Sequence, residues 1–137
     1  MHLIADSGSS KTDWAIIHSS GDVTYTQTIG LNPFFHTEES IYSEISTNQT
    51  LTSAQNTITH ISFFGAGCSD SVRNAIINNA LLRVFKNAEI QVSHDITAAV
   101  YATCGNTEGI SCIVGTGSNC IYFDGNNTHS YTHALGH

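Results

Sequence analysis

Three apolar, β-branched stretches follow one another in the first thirty residues, at about 2–6, 13–18 and 22–30, separated by short polar breaks at 6–11 and 19–22. Breaks of that length suit turns between antiparallel neighbours, so the chain is expected to open as a three-stranded meander. After Asn32-Pro33 the pattern changes. Thr37 can cap a helix whose first turn carries Glu38 and Glu39, where the helix dipole favours negative charge, with Ile41, Tyr42 and Ile45 as its buried face. Residues 47–57 are polar and without clear period, and read as a helix tail or loop.

A strand over 58–64 runs into Gly65-Ala66-Gly67, and Ser69 or Asp70 can then cap a helix. Val72, Ile76, Ala80 and Val84 form one stripe of that helix beside Ile77, Leu81 and Phe85. A strand at 89–93, a helix at 96–104 and two strands near 110–115 and 119–123 complete the order βββαβαβα, then ββ. Antiparallel strands followed by strand–helix–strand units predict an α/β fold: a ribonuclease H-like mixed five-stranded sheet with flanking helices.

The composition fits a folded domain with one modest core: 137 residues, 40% apolar and 11% charged. Four basic residues stand against eleven acidic ones, and Arg73, Arg83 and Lys86 are three of the four. No phosphate-neutralising stripe exists, which argues against nucleic acid as a partner. The N-terminus turns polar by Asp6, giving neither a secretory signal nor a membrane span, so the expected compartment is the cytoplasm. Cys68, Cys104, Cys112 and Cys120 lack CxxC spacing and lie in mostly apolar surroundings, and are read as buried thiols. Trp14 and the Phe34-Phe35 pair are read as core or loop packing rather than a stacking platform.

Four places could carry chemistry. In Asp6-Ser7-Gly8-Ser9-Ser10-Lys11-Thr12, a glycine turn with small hydroxyls exposes N–H groups to an anion, Lys11 adds a positive charge, and Asp6 could hold a hydrated Mg²⁺. An ordinary hairpin turn uses the same residue types. In Gly115-Thr116-Gly117-Ser118-Asn119, two glycines permit close approach of a phosphoryl group, while Ser118 and Asn119 can bond a polyol; again a plain turn is the alternative. Asp95 follows a strand end and precedes a helix, where a carboxylate could take a proton from an attacking hydroxyl or cap the helix, or do both. Asn32, in the Gly30-Leu31-Asn32-Pro33 turn, can offer donor and acceptor to a sugar hydroxyl or simply form the turn. The four-residue spacing of His129, His133 and His137 would suit a metal only on a helix, which Gly136 and its polar surroundings argue against.

In order, ADSGSSKTDWAII, GLNPF, FFGAGCSD, SHDITAAVYATCG and IVGTGSNC resemble the N-acetylglucosamine kinase and BadF/BadG/BcrA/BcrD-type ATPase family, within the actin, hexokinase and heat-shock chaperone ATPase superfamily. The match runs over nearly the whole chain, and GTGSNC is its most telling piece. The resemblance implies two ribonuclease H-like lobes closing on MgATP and a sugar. It assigns ATP phosphates to Asp6, Gly8, Ser9, Ser10, Lys11, Thr12, Gly115, Thr116 and Gly117, with Asp6 also holding Mg²⁺ through water. Sugar contacts fall on Asn32, Asp95, Ser118 and Asn119, and Asp95 becomes the base for the sugar 6-hydroxyl. It further implies a first lobe over 1–106 and the opening of a second over 107–137, because family members continue past this point toward a Gly-Asp-Glu-Gly segment and the adenosine pocket. Such opening strands would expose apolar edges, predicting poor solubility or pairing with another chain, as in a homodimer. A glucosamine kinase, a dehydratase-activator ATPase, for which the cysteines give no cluster signature, and a non-catalytic sugar-binding module are the rival readings.

Overall fold

The computed structural model describes residues 1–114, 117–129 and 135–136, with side chains described for 1–113 and 119–129. It divides into two compact units, Met1–Asp95 and Ile96–His137. The division falls at the start of the last described helix, ahead of the boundary at 106 that the resemblance implies.

In the first unit the meander is β1 (His2–Ser7), β2 (Lys11–Ile17) and β3 (Val23–Ile29), followed by α1 (Glu38–Thr47), α2 (Gln49–Ala54), β4 (His60–Gly65), α3 (Ser71–Val84) and β5 (Glu89–His94). The five strands lie in the order β3-β2-β1-β4-β5. The β1–β2 and β2–β3 pairs are antiparallel, while β1–β4 and β4–β5 are parallel, the latter crossing over through α3. This is the expected mixed five-stranded sheet.

Strand alternation puts Leu3, Ala5, Trp14, Ile16, Ile61 and Phe63 into one core with Ile41, Ile45, Leu51, Ile77 and Leu81 of the helices. Each fully buried Leu, Ile or Phe among them contributes about 1.5–3 kcal/mol of apolar transfer energy. Thr37 caps α1 through a reciprocal bond pair with Ser40, and Asp70 caps α3 by accepting from the Arg73 N–H at 2.9 Å.

Three local expectations are corrected. Residues 49–54 form a separate helix, because the Asn48 side chain accepts from Leu51 N–H and Leu51 is fully buried: one apolar anchor and one cap suffice where periodicity is silent. Val72 is 74% exposed, since it lies in the first turn of α3, outside the stripe that meets the core. Tyr42 is only partly buried and lies under the Arg83 guanidinium, 3.8 Å from its ring centroid.

The second unit contains α4 (Asp95–Cys104), whose first residue belongs to the unit before it, then β6 (Gly109–Val114), β7 (Gly117–Phe123), β8 (Thr128–His129) and β9 (Leu135–Gly136). β6 and β8 flank β7, and β9 also pairs with β7, giving a small antiparallel sheet. Ile121 and Phe123 of β7 pack with Ile96 and Val100 of α4. Cys112 and Cys120 are exposed and Cys104 is half-buried, so only Cys68 matches the buried-thiol expectation. The reason is strand parity: Ser111 and Ile121 take the inner face, which turns their neighbours outward.

Candidate functional site

The parallel register lines up Ser7, Gly65 and His94 in one row across β1, β4 and β5. Their C-terminal ends therefore share an edge, the position where open α/β sheets bind ligands. Ala66 N–H donates to Ser7 O at 2.8 Å, tying the Gly65-Ala66-Gly67 turn to the end of β1. Asp6 belongs to this edge as the residue before Ser7, and Asp95 follows His94 directly as the first residue of α4.

The two carboxylates sense each other. Partial desolvation raises the Asp6 pKa above its ordinary value, repulsion from Asp95 and then Asp13 raises it further, and Lys11 opposes the shift. The Asp6 residue as a whole remains exposed, so its carboxyl is withdrawn from water on one side only. His94 Nδ1 lies 2.6 Å from Asp95 Oδ1. That bond raises the His94 pKa above 6.5, against the effect of burial, and the Asp95 charge adds to the rise. Cys68, buried beneath this edge, is pushed up to about 12 by desolvation and by the same Asp95 charge, so it is an inert thiol.

The turn between β1 and β2 has an internal support. Gly8 N–H donates to Lys11 O at 2.9 Å, closing the turn over exposed Ser9 and Ser10. Below it, Ser7 Oγ and Thr12 Oγ1 lie 2.8 Å apart, Thr12 donates to Ile29 O, and Leu31 N–H donates to Ser7 Oγ. Thr12 is fully buried and committed to that network, so its hydroxyl shapes the turn from beneath. Gly30 lies against the turn so closely that a Cβ there would meet Gly8 O at 2.4 Å and Ser9 O at 2.5 Å. Exposed Lys11 pairs with half-buried Asp13 at 2.8 Å, and Gln27 donates to the other Asp13 oxygen.

Asn32 is 7% exposed. Its Oδ1 accepts from Phe34 N–H at 2.9 Å and rests against Gly67, whose positive φ of 82° and missing Cβ permit the contact. The side-chain carbonyl is thus used by the turn, leaving Nδ2 as the group able to donate to a ligand. Phe34 and Phe35 are 56% and 77% exposed, and Arg73 stacks on Phe34 at 3.8 Å. Pro33, Phe34, Asp70, Val72, Arg73 and Ile76 line a groove of about 510 Å³ beside this turn, which contains neither of the paired carboxylates.

Gly115 and Thr116 of the second glycine loop lie outside the described residues. The backbone of Gly117 and Ser118 enters β7, and Asn119 pairs with Ile113, on the same hairpin face as Ser111 and Ile121. His133 and His137 lie outside the described residues, and His129 pairs instead with Asp124 at 2.7 Å. Among the described residues no cluster of three or more His, Cys, Asp or Glu side chains is arranged to hold a metal. No described helix is long and apolar enough to cross a membrane.

Two residues of this edge were missed in the sequence, His94 and Asp13. Each had a signal: His94 immediately precedes the candidate base at a strand–helix junction, and Asp13 is two residues from Lys11 on a strand and so shares its face.

No protein-family model matches the chain, and no curated protein matches it. Among solved structures, a protein of Porphyromonas gingivalis described as a "Putative N-acetylglucosamine Kinase" matches with a TM-score of 0.87 and 36% identity. The match covers 95% of this chain and 47% of that one, so the chain spans about half the length of that protein. Through this likeness and its own sheet order, the chain has a ribonuclease H-like α/β fold of the kind found in that kinase-like protein.

Proposed function

We propose that the chain provides the sugar site and part of the phosphate site of an ATP-dependent kinase that phosphorylates the 6-hydroxyl of N-acetylglucosamine or a related amino sugar. The observation that carries this reading is the meeting of Asp95, Asp6 and the turn after β1 on one sheet edge. The likeness to the Porphyromonas gingivalis protein supports the same reading.

Asp95 accepts the proton of the attacking hydroxyl, and His94 holds its carboxylate in place. Asn32 Nδ2, Ser118 and Asn119 orient the sugar. Gly8, Ser9, Ser10 and Lys11 meet phosphate oxygens through backbone N–H groups, hydroxyls and charge, with Gly115, Thr116 and Gly117 as the second loop. Thr12 supports the turn between β1 and β2 from below, through its bond to Ser7.

The residues fit a hydrated Mg²⁺: Asp6 and Asp95 repel each other, a strain that a divalent cation relieves, and Mg²⁺ commonly binds one or two carboxylates together with water and phosphate. Asp6 would hold it through water, and when bound it neutralises phosphate charge. Phosphoryl transfer passes through a loose transition state, so alignment by these residues matters more than the strength of the base. Sugar-dependent ADP release from MgATP, followed with the chain and with any longer natural form containing it, tests the reading. Sugar binding that is indifferent to MgATP in both forms would favour a non-catalytic sugar-binding module.

A further inference from the structure

Cys112 and Cys120 face each other in the β6–β7 register, with their Sγ atoms 2.6 Å apart. Both are exposed, on the side of the hairpin opposite the buried Ser111 and Ile121. The remaining cysteines differ: Cys68 is buried in the first unit, and Cys104 lies half-buried beside Thr103 and Gly109. Antiparallel neighbours have Cα atoms about 4.5–5.5 Å apart, inside the range a disulfide spans, so closing the bond needs side-chain rotation and no backbone movement.

We propose that Cys112 and Cys120 form a redox-responsive modification site, a cross-strand dithiol that is oxidised by exchange with a low-molecular-weight disulfide of the glutathione class. One of the two sulfurs, as thiolate, attacks a sulfur of the reagent, breaking its S–S bond and releasing one reagent thiolate. The second cysteine gives its proton to solvent and attacks the mixed disulfide, forming the Cys112–Cys120 bond and releasing the second reagent thiolate. Two protein thiols are oxidised and one external disulfide is reduced to two thiols. Its hydrogen bond to the Cys120 sulfur holds the Cys112 thiol above its ordinary range, so the exchange accelerates as the pH is raised. The bond would link β6 to β7, and its formation does not depend on the kinase reading.

The test incubates the protein in glutathione buffers from fully reduced to fully oxidised, without nucleotide or sugar, then quenches in acid, alkylates and maps the peptides by mass. The expected result is one intramolecular 112–120 link, lighter by two hydrogens and retaining no glutathione. Cys112→Ser and Cys120→Ser should each instead retain one glutathione on the surviving member of the pair. A wild-type protein that stays reduced in glutathione disulfide, holds glutathione on either cysteine without linking them, or joins either to Cys104 or to another chain overturns the proposal. Should a serine variant fail to fold, the wild-type map decides alone.

Discussion

His94 Nδ1 and Asp95 Oδ1 are 2.6 Å apart across the junction where β5 ends and α4 begins. Two consecutive residues can make this contact because the chain changes from extended to helical between them. The candidate base therefore carries a built-in imidazole partner, whose protonated form the contact favours.

That partnership has a definite pH signature. The pKa of His94 is raised in the folded protein, so protonated His94 stabilises the fold fully below the ordinary histidine value of 6.5, and the contribution fades as pH rises through the elevated value. An NMR titration should find its midpoint above 6.5 and find it lowered in Asp95→Asn, where the carboxylate charge is gone while burial still acts on the imidazole. An identical midpoint in both proteins would disprove the pairing.

Asp6 follows the same pH direction, although here the neutral form is the favoured one. Its raised pKa means that its protonated form suits the fold, a contribution present at acid pH and lost as the carboxyl ionises. Asp6→Asn should therefore raise Tm at pH 7, by an amount worth less than about 1 kcal/mol because the residue is exposed. The gain should shrink toward zero at acid pH. Mg²⁺ should raise the Tm of the wild type more than that of Asp6→Asn.

Gly30, which follows β3, and Gly8, in the turn between β1 and β2, make a paired comparison. A Cβ at Gly30 would collide with backbone atoms at 2.4–2.5 Å, whereas one at Gly8 finds its nearest neighbour at 3.7 Å. Gly30→Ala should cost about 1–3 kcal/mol, the range of an overpacked site, while Gly8→Ala should stay within about 0.5 kcal/mol. Denaturant unfolding of the two variants measures the difference, and equal stabilities would contradict the packing of Gly30 under the turn.

Much of this was legible in sequence because local and global signals agreed. Short polar breaks made the meander, Thr37 and Asp70 announced their helices, and Asp95 fell at a strand end where a parallel sheet presents its ligands. Register was not legible. Nothing local says that Ser7, Gly65 and His94 form a row, so the nearness of Asp6 to Asp95 emerges only from the pairing of β1, β4 and β5. Parity explains the outward cysteines in the same way: apolar surroundings suggested burial, but the face was set by which neighbours met α4. Thr12 shows a third limit, since composition cannot tell a hydroxyl that faces a ligand from one that holds a turn.

The most direct measurement compares sugar-dependent phosphoryl transfer from MgATP to N-acetylglucosamine by wild type and Asp95→Ala, together with sugar affinity, in the chain and in any longer natural form containing it. The account predicts sugar 6-phosphate and ADP in equal amounts from the active form, a turnover lower by about 10²–10⁴-fold in Asp95→Ala, and a much smaller change in sugar affinity. Unchanged turnover in Asp95→Ala would contradict it.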